Sequence, residues 1–206
     1  MKSKKNIFPE KLEPYKGIIY FVIILLISNY FWKFTVKGDE SDTLVTFFGL
    51  DISAPFIYMS KHFADMTAKV LQFFGSDVIL GNHNNLYFDT GYGVRIVWAC
   101  TGIKQAYIFT CIIAFTRGPW KKKLWYIPMG ILIVYLFNLF RLTVITACVK
   151  NHFDWFDFLH EGLFKYIFYG VIFLMWVIWD EKIAMKGKNL AAETTEGIDN
   201  QEKISE

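Results

Sequence analysis

The sequence Arg117-Gly-Pro-Trp-Lys-Lys-Lys123 separates two long apolar runs, residues 96–116 before it and residues 124–149 after it. Each run reaches the roughly 20 residues that a helix needs to cross a lipid bilayer. Short loops rich in lysine and arginine remain on the cytoplasmic side of a membrane. The sequence therefore predicts two membrane-spanning helices joined by a cytoplasmic loop, and the rest of the chain is arranged around this pair.

The composition is that of a polytopic membrane protein. Of the 206 residues, 54% are hydrophobic and 19% are aromatic, and the apolar residues form long runs rather than amphipathic patterns. Such composition is typical of chains that cross a membrane. The net charge of +3 is carried by basic residues that flank apolar runs, so it predicts membrane lipids as partners and no nucleic acid.

Two further spans are predicted, one on each side of this pair. A lysine-rich segment leads into the apolar residues 17–32 without a cleavage site after them, which indicates a retained helix with a cytoplasmic N-terminus. Residues 162–179 are predicted to return the chain to the cytoplasm. The composition of residues 181–206, rich in Glu, Lys, Ala and Thr, predicts a disordered cytoplasmic tail. Residues 1–180 would form a single integral-membrane domain in the inner (cytoplasmic) membrane. The predicted fold class is all-α and polytopic, with about four transmembrane helices and six as the alternative.

Residues 37–95 connect the first two spans and are predicted to be extracytoplasmic, because acidic residues outnumber basic ones there. An amphipathic helix is predicted within them, either on the membrane or against other helices. Its apolar positions recur at helical spacing: Phe56, Met59, Phe63, Met66, Val70 and Phe74. Two short crossings within residues 44–75 would give six spans, but each charge near a helix centre would cost about 2.5–3.5 kcal/mol.

A small β-hairpin is predicted immediately before the second span. Gly81-Asn-His-Asn-Asn85 and Asp89-Thr-Gly91 are turn-forming sequences, and residues 86–88 and 94–97 favour extended structure. The last strand of this hairpin would lead directly to Cys100.

Cys100, Arg141 and His160 are predicted to lie at one level of the membrane. Cys100 precedes the basic loop and Arg141 follows it by similar lengths of helix, so at about 1.5 Å per residue each lies roughly 25 Å above the cytoplasmic face. The hydrocarbon core is about 30 Å thick, which places both near its outer boundary. His160 begins the last helix at the same outer surface.

These three side chains together have the chemistry of nucleophilic catalysis. A thiol attacks as the thiolate, and a neighbouring histidine or cation favours that form. His160 would accept the proton of Cys100 and return it to a leaving amine. Arg141 would stabilise the thiolate, the oxyanion of a tetrahedral intermediate, or a substrate carboxylate. Thr101 and Gly102 would assist, the first as a polar partner and the second by permitting close approach.

Structural interpretations of the same side chains stay open. Cysteine often packs as a small hydrophobe, which is the favoured interpretation of Cys111 and Cys148, and a disulfide between Cys100 and Cys148 is a further alternative. Arg141 would snorkel to the outer headgroups if it had no role, and Lys104 is either a second cation near the thiol or a snorkelling side chain. Function is favoured for Arg141 because intramembrane charges face polar partners and Asn138 lies one turn before it.

No cofactor is predicted. A metal site would gather four residues of the outer loop, but their spacing does not distinguish ligands from solvated side chains. These residues are His152, Asp154, Asp157 and His160. His62 and His83 are interpreted as surface residues.

At the candidate site the sequence resembles the exosortase/archaeosortase family of integral-membrane cysteine transpeptidases. Ala99-Cys-Thr-Gly102 matches the nucleophile motif of the family, and Asn138-Leu-Phe-Arg141 matches its Asn-x-x-Arg motif. His160 stands for the later histidine that precedes an apolar helix. The resemblance covers residues 71–179 and implies a short form built mainly of the catalytic core.

The resemblance implies a cysteine peptidase or transpeptidase that cleaves exported proteins at the outer membrane face. Such substrates carry a C-terminal motif, a transmembrane helix and a basic tail, and the reaction would pass through a thioester on Cys100. Arg141 and His160 would complete the catalytic set, and substrate contacts are predicted for four residues: Thr101, Gly102, Lys104 and Asn138. The alternative function is a non-enzymatic membrane scaffold or accessory transport subunit in which the cysteines are packed or bridged.

Overall fold

The computed structural model describes residues 15–38, 44–89, 91–151, 153–156 and 158–184. Its α-helices are α1 (Lys16–Thr35), α2 (Ser53–Phe73), α3 (Ile103–Phe115), α4 (Trp120–Asn151) and α5 (Phe164–Ile178). Its strands are β1 (Val36–Gly38), β2 (Val45–Phe47), β3 (Leu50–Asp51), β4 (Val78–Leu80), β5 (Asn85–Phe88) and β6 (Gly93–Arg95). The N-terminal basic segment and the tail from residue 185 onward lie outside the described residues.

Three helical segments of the described chain are long and apolar enough to cross a membrane: Lys16–Thr35, Trp120–Lys150 and Phe158–Ala184. The last of these comprises α5 and a wider, π-helical turn at each of its ends. α3 is apolar but has 13 residues. At 1.5 Å per residue it is about 20 Å long, short of a hydrocarbon core of roughly 30 Å. The four to six spans predicted from the sequence are therefore not confirmed.

The difference arises at the beginning of the apolar run 96–116, which was expected to be helical throughout. Residues Trp98–Cys100 instead form a single 3-10 turn, and Gly102 has a φ of 74°. That left-handed conformation is one that glycine adopts at no steric cost. The α-helix therefore begins only at Ile103, and hydrophobicity alone does not reveal the interruption.

An apolar core holds α1, α3, α4 and α5 together. Its largest fully buried side chains include Phe109, Ile112, Val134, Ile172 and Trp179. Two polar groups within this core are paired with backbone carbonyls: the hydroxyl of Tyr126 donates to the carbonyl of Met175 at 2.7 Å, and Nε1 of Trp179 donates to the carbonyl of Arg117 at 3.0 Å. These bonds satisfy groups that would otherwise be costly to bury.

Lys123 closes the cytoplasmic end of α3 in the predicted topology, although it belongs to α4. Its side chain is 3% exposed, and Nζ donates to the carbonyl of Ala114 at 2.8 Å and to that of Thr116 at 2.5 Å. The ammonium also lies 4.6 Å from the ring centroid of Trp120. Carbonyls at the end of a helix lack partners within the helix, and a lysine donor satisfies them.

Replacing Lys123 by methionine keeps the apolar stem and removes both hydrogen bonds. We expect the free energy of unfolding to fall by about 1–3 kcal/mol, because the terminal carbonyls of α3 lose a charged donor. Thermal unfolding of the purified protein in detergent measures the change. Lys122→Met removes the same charge from an exposed neighbour, so equal losses in the two variants would show that loop charge, and not this contact, stabilises the fold.

The predicted amphipathic helix is present as α2, and it packs against α4. The ring centroids of Phe63 and Tyr135 lie 5.1 Å apart, and Nε2 of His62 is 2.8 Å from the hydroxyl of Tyr135. His62, interpreted from the sequence as a surface residue, is therefore half-buried against Tyr135, whereas His83 is exposed. Phe74 is also exposed, and small residues take part in the buried face: Ser60, Ala64, Thr67 and Ala68.

Two small antiparallel sheets flank α2. The predicted hairpin is confirmed as β5 and β6, and β4 adds a third strand that pairs with β5. The other sheet, β1-β2-β3, was not predicted, because its strands have only two or three residues each. Asp51 joins this sheet to α2: hydrogen bonds from the hydroxyl and then the backbone N–H of Ser53 lower the pKa of its carboxyl.

Candidate active site

Cys100 ends the 3-10 turn Trp98–Cys100 and lies between the second sheet and α3. Its side chain is 7% exposed. The hydroxyl of Thr101 donates to the carbonyl of Trp98 at 2.7 Å, which closes the turn on itself. The thiol therefore lies on a short, internally bonded segment in front of α3, and not within a helix as the depth estimate assumed.

His160 lies beside the thiol, although 60 residues separate the two in sequence. The distance between Sγ of Cys100 and Nε2 of His160 is 3.5 Å, within hydrogen-bonding range for sulfur. His160 belongs to the π-helical turn Phe158–Leu163 that leads into α5, as expected of a residue at the start of the last helix. Its ring is stacked on Phe156, with centroids 5.3 Å apart and planes inclined by 9°.

Asn138 supports the backbone of the cysteine turn. It is fully buried on α4, and its Nδ2 donates to the carbonyl of Cys100 at 2.8 Å. A Cβ at Gly102 would approach Cγ of Asn138 to 3.1 Å, so glycine there allows the amide to reach the turn. Asn138 was predicted to contact the substrate, but its amide nitrogen is engaged by the protein itself.

Arg141 lies one turn after Asn138 on α4 and is 7% exposed. It lines the same cavity as Cys100 and His160. Its Nε has no hydrogen-bond partner among the described residues. Intramembrane arginines generally face a partner or a cavity, and Arg141 faces the cavity that holds the thiol.

The cavity at this site has a volume of about 540 Å³. Cys100, Thr101, Lys104, Arg141 and His160 line it, so five of the predicted site residues share one space. Sequence reasoning missed two further cations of the lining, Lys33 at the end of α1 and Lys165 in α5. Both are found beside apolar runs, where lysine is ordinarily attributed to topology or snorkelling.

The side chains that line the cavity are of two main kinds, aromatic and positively charged. One wall is aromatic, formed by Trp32, Phe56 and Trp98, with ring centroids 6.3 Å apart for Trp32 and Phe56 and 5.9 Å apart for Phe56 and Trp98. Arg141 and the three lysines supply positive charge, and no Asp or Glu lines the cavity among the described residues. Uncompensated positive charge in a partly enclosed cavity stabilises negative charge on a bound or reacting group.

The other two cysteines do not join the site. No disulfide joins any of the three cysteines, all of which the structure describes, so the alternative of a bridge between Cys100 and Cys148 was wrong. Cys148 packs against the apolar cluster of Ile145, Leu159 and Phe164. Of the four residues considered for a metal, His152 and Asp157 lie outside the described residues.

Replacing Asn138 by leucine tests its support of the turn. We expect the free energy of unfolding to fall by about 1–3 kcal/mol, because the buried carbonyl of Cys100 would lose its donor. The rate of maleimide labelling of Cys100 should change as well, since the turn that carries the thiol is loosened. Thr143→Val is the matched control, because Thr143 donates only to Leu139 within its own helix. A labelling rate equal to that of the unmodified protein would contradict the assignment.

The fold and the cavity together define a class: a polytopic membrane protein that holds a cysteine against a histidine at one end of its helices. A family model, transmembrane exosortase, matches residues 43–182 of the chain. The chain belongs to the transmembrane exosortase family, which confirms the resemblance found in the sequence. Comparisons with curated proteins and with solved structures gave no match.

Proposed function

We propose that this protein is a membrane-embedded cysteine peptidase or transpeptidase that acts on exported proteins. Membership of the transmembrane exosortase family supports a sorting function. The observation that carries the proposal is the distance of 3.5 Å between Sγ of Cys100 and Nε2 of His160, beside a buried arginine. A thiol and an imidazole at that distance can exchange the proton on which nucleophilic attack depends.

In the first half-reaction, His160 accepts the proton of Cys100 on Nε2, and Sγ attacks the carbonyl carbon of the scissile peptide bond. The carbonyl oxygen becomes negatively charged in the tetrahedral intermediate, and Arg141 stabilises it at the cavity wall. His160 then donates its proton to the nitrogen of the leaving amine, and the C–N bond breaks. The C-terminal segment leaves, and the upstream part of the substrate remains as a thioester on Cys100.

In the second half-reaction, water or an amine attacks the thioester carbonyl, and His160 accepts its proton. The C–S bond breaks, and the sulfur leaves as the thiolate and takes back the proton. With water the product is a carboxylic acid, and with an amine it is a new amide. Both routes use the same protein groups, so the proposal covers hydrolysis and transpeptidation.

The substrates we propose are exported proteins with a C-terminal motif, a transmembrane helix and a basic tail. Their helix would lie in the bilayer with the scissile bond at the cavity. The loop at Arg117 and Lys121–Lys123 supports a topology in which both termini are cytoplasmic and the cavity opens at the extracytoplasmic face of the inner membrane. The substrate's basic tail would then lie on the same side as this loop.

The test is to isolate the full-length protein from its host membrane and search for an acyl group on Cys100. Mass spectrometry of the peptide containing Cys100 should show a hydroxylamine-sensitive adduct, and the attached sequence identifies the substrate. The peptide containing Cys148 in the same digest is the internal control, and it should carry no adduct. A Cys100 peptide that is always a free thiol, and inert to externally added maleimide, would contradict the proposal.

A further inference from the structure

The turn between β2 and β3 exposes a group of large apolar side chains next to α1. The exposed fractions are 61% for Phe48 and 69% for Leu50, and Phe34 at the end of α1 is 73% exposed. The ring of Phe48 lies within aromatic contact of Phe31, Phe34 and Phe47, with centroid distances of 6.4, 6.4 and 4.9 Å. We call Phe31, Phe34, Phe47, Phe48 and Leu50 the hairpin patch.

The hairpin patch lies level with the end of a membrane span. α1 has 20 residues, a length of about 30 Å that matches the hydrocarbon core. The chain enters β1 directly at Val36, which is paired with Phe47. The backbone N–H of Phe48 donates to the carbonyl of Thr35, the last residue of α1, at 3.1 Å. The turn is therefore folded back onto the end of the span and does not project away from it.

The conformation of the turn does not explain the aromatic residue at its tip. Phe47 is paired with Leu50, which leaves Phe48 and Gly49 as a two-residue loop with φ values of 49° and 85°. Two positive φ values define the turn that Asn-Gly and Asp-Gly favour, and a bulky residue at the first position is disfavoured. Phe48 thus adopts an unfavourable backbone conformation and also exposes its ring. Both the strained backbone and the exposed ring of Phe48 are explained if the ring lies in a favourable apolar environment outside the protein.

We propose that the hairpin patch inserts into the outer interface of the lipid bilayer and anchors the first sheet at a fixed height. Phe31 and Phe34 already belong to a helix that is long and apolar enough to span a membrane, so the patch continues the exposed apolar surface of that helix. Interfacial insertion of aromatic and aliphatic side chains favours binding in proportion to the apolar area removed from water. The inference concerns a lipid-binding surface and does not depend on the proposed reaction.

Anchoring of the first sheet in the membrane would also affect the position of Cys100, because the sheet contacts the turn that carries this residue. Gly38 of β1 packs on the indole of Trp98 so closely that a Cβ there would lie 2.5 Å from the ring. Trp98 begins the 3-10 turn that ends at Cys100. The sheet that carries the hairpin patch is thus in direct contact with the turn that carries the thiol, and it forms one side of the cavity through Val36.

The test is site-specific photo-crosslinking of the full-length protein in liposomes of phosphatidylethanolamine and phosphatidylglycerol. Leu50 is replaced by benzoylphenylalanine, and after irradiation the protein is digested and searched for lipid adducts by mass spectrometry. Lys69 is the control position, because it lies on the exposed face of α2 in an ion pair with Asp65. We expect lipid adducts at position 50 in several-fold excess over position 69.

A second variant separates lipid contact from folding. Phe48→Asn places the preferred Asn-Gly sequence in the turn and removes the exposed ring, so the thermal unfolding midpoint should be unchanged or higher. The yield of lipid adducts at position 50 should nevertheless fall several-fold in this background. Equal adduct yields at positions 50 and 69, adducts to a second copy of the chain instead of lipid, or an unchanged yield of lipid adducts in the Phe48→Asn background would each overturn the proposal.

Discussion

Replacing Cys100 by alanine is expected to abolish processing of exported substrates while the protein remains folded in the membrane. The thiol is the only described group in the cavity that both lies against a histidine and can form a covalent acyl intermediate. Loss of such a nucleophile should lower the processing rate by at least about a thousandfold. Alanine is smaller than cysteine, so the turn Trp98–Cys100 should keep its internal hydrogen bonds.

The measurement is an immunoblot of an epitope-tagged exported protein that carries a C-terminal motif, a transmembrane helix and a basic tail. Uncleaved precursor should accumulate in the Cys100→Ala strain. Cys148→Ala is the matched control, because Cys148 is a half-buried free thiol in a separate apolar cluster, and processing should continue in it. Normal cleavage in the Cys100→Ala strain would refute the nucleophile assignment. A second blot, of the variant itself in the membrane fraction, checks that any accumulation of precursor is not caused by loss of the protein.

Replacing His160 by glutamine should slow the same processing by about 10²–10⁴-fold, the range typical of a lost general acid–base group. Glutamine retains a polar side chain of similar length but does not accept and return a proton near neutral pH. The deficit in the reactivity of the Cys100 thiol should narrow as the pH rises toward the ordinary thiol pKa of about 8.5, because deprotonation then needs no base. The deficit in processing should remain, because the leaving amine still lacks its general acid. The readout is the rate of maleimide labelling of Cys100 as a function of pH, together with precursor accumulation.

The control is His62→Gln, which removes a half-buried histidine that contacts Tyr135 and does not line the cavity. That variant should process substrate and label at Cys100 like the unmodified protein. If His160→Gln left the pH profile of Cys100 labelling unchanged, His160 would be a packing residue beside Phe156 and not the base.

The site residues were predictable to different degrees. Cys100, Arg141 and His160 were singled out from motif resemblance and from their distance to the basic loop, and they do line one cavity. Their common depth was predicted with Cys100 inside a helix, whereas Cys100 precedes α3. Lys33 and Lys165 were missed, since a lysine beside an apolar run has the same local sequence whether it faces lipid headgroups or a cavity.

The elements of the fold were also predictable to different degrees. α4 was predicted within a few residues, because a long apolar run bounded by basic residues has few alternatives. The sheet β1-β2-β3 was missed, because strands this short carry no period-2 pattern. The buried face of α2 was also partly misjudged. Small residues such as Ala64 and Ala68 are buried, while Phe74 is exposed, and hydrophobicity ranks them in the opposite order.

The sequence by itself indicated a membrane protein, predicted the long apolar helices α1, α4 and α5, and singled out one cysteine as a candidate nucleophile. These properties depend on runs of neighbouring residues and on local chain geometry. Only the tertiary structure decided that Asn138 holds the carbonyl of Cys100, that His160 is 3.5 Å from its sulfur, and that Phe48 lies at the end of α1. Such contacts join residues distant in sequence, and helix packing, which no local pattern encodes, sets their distances.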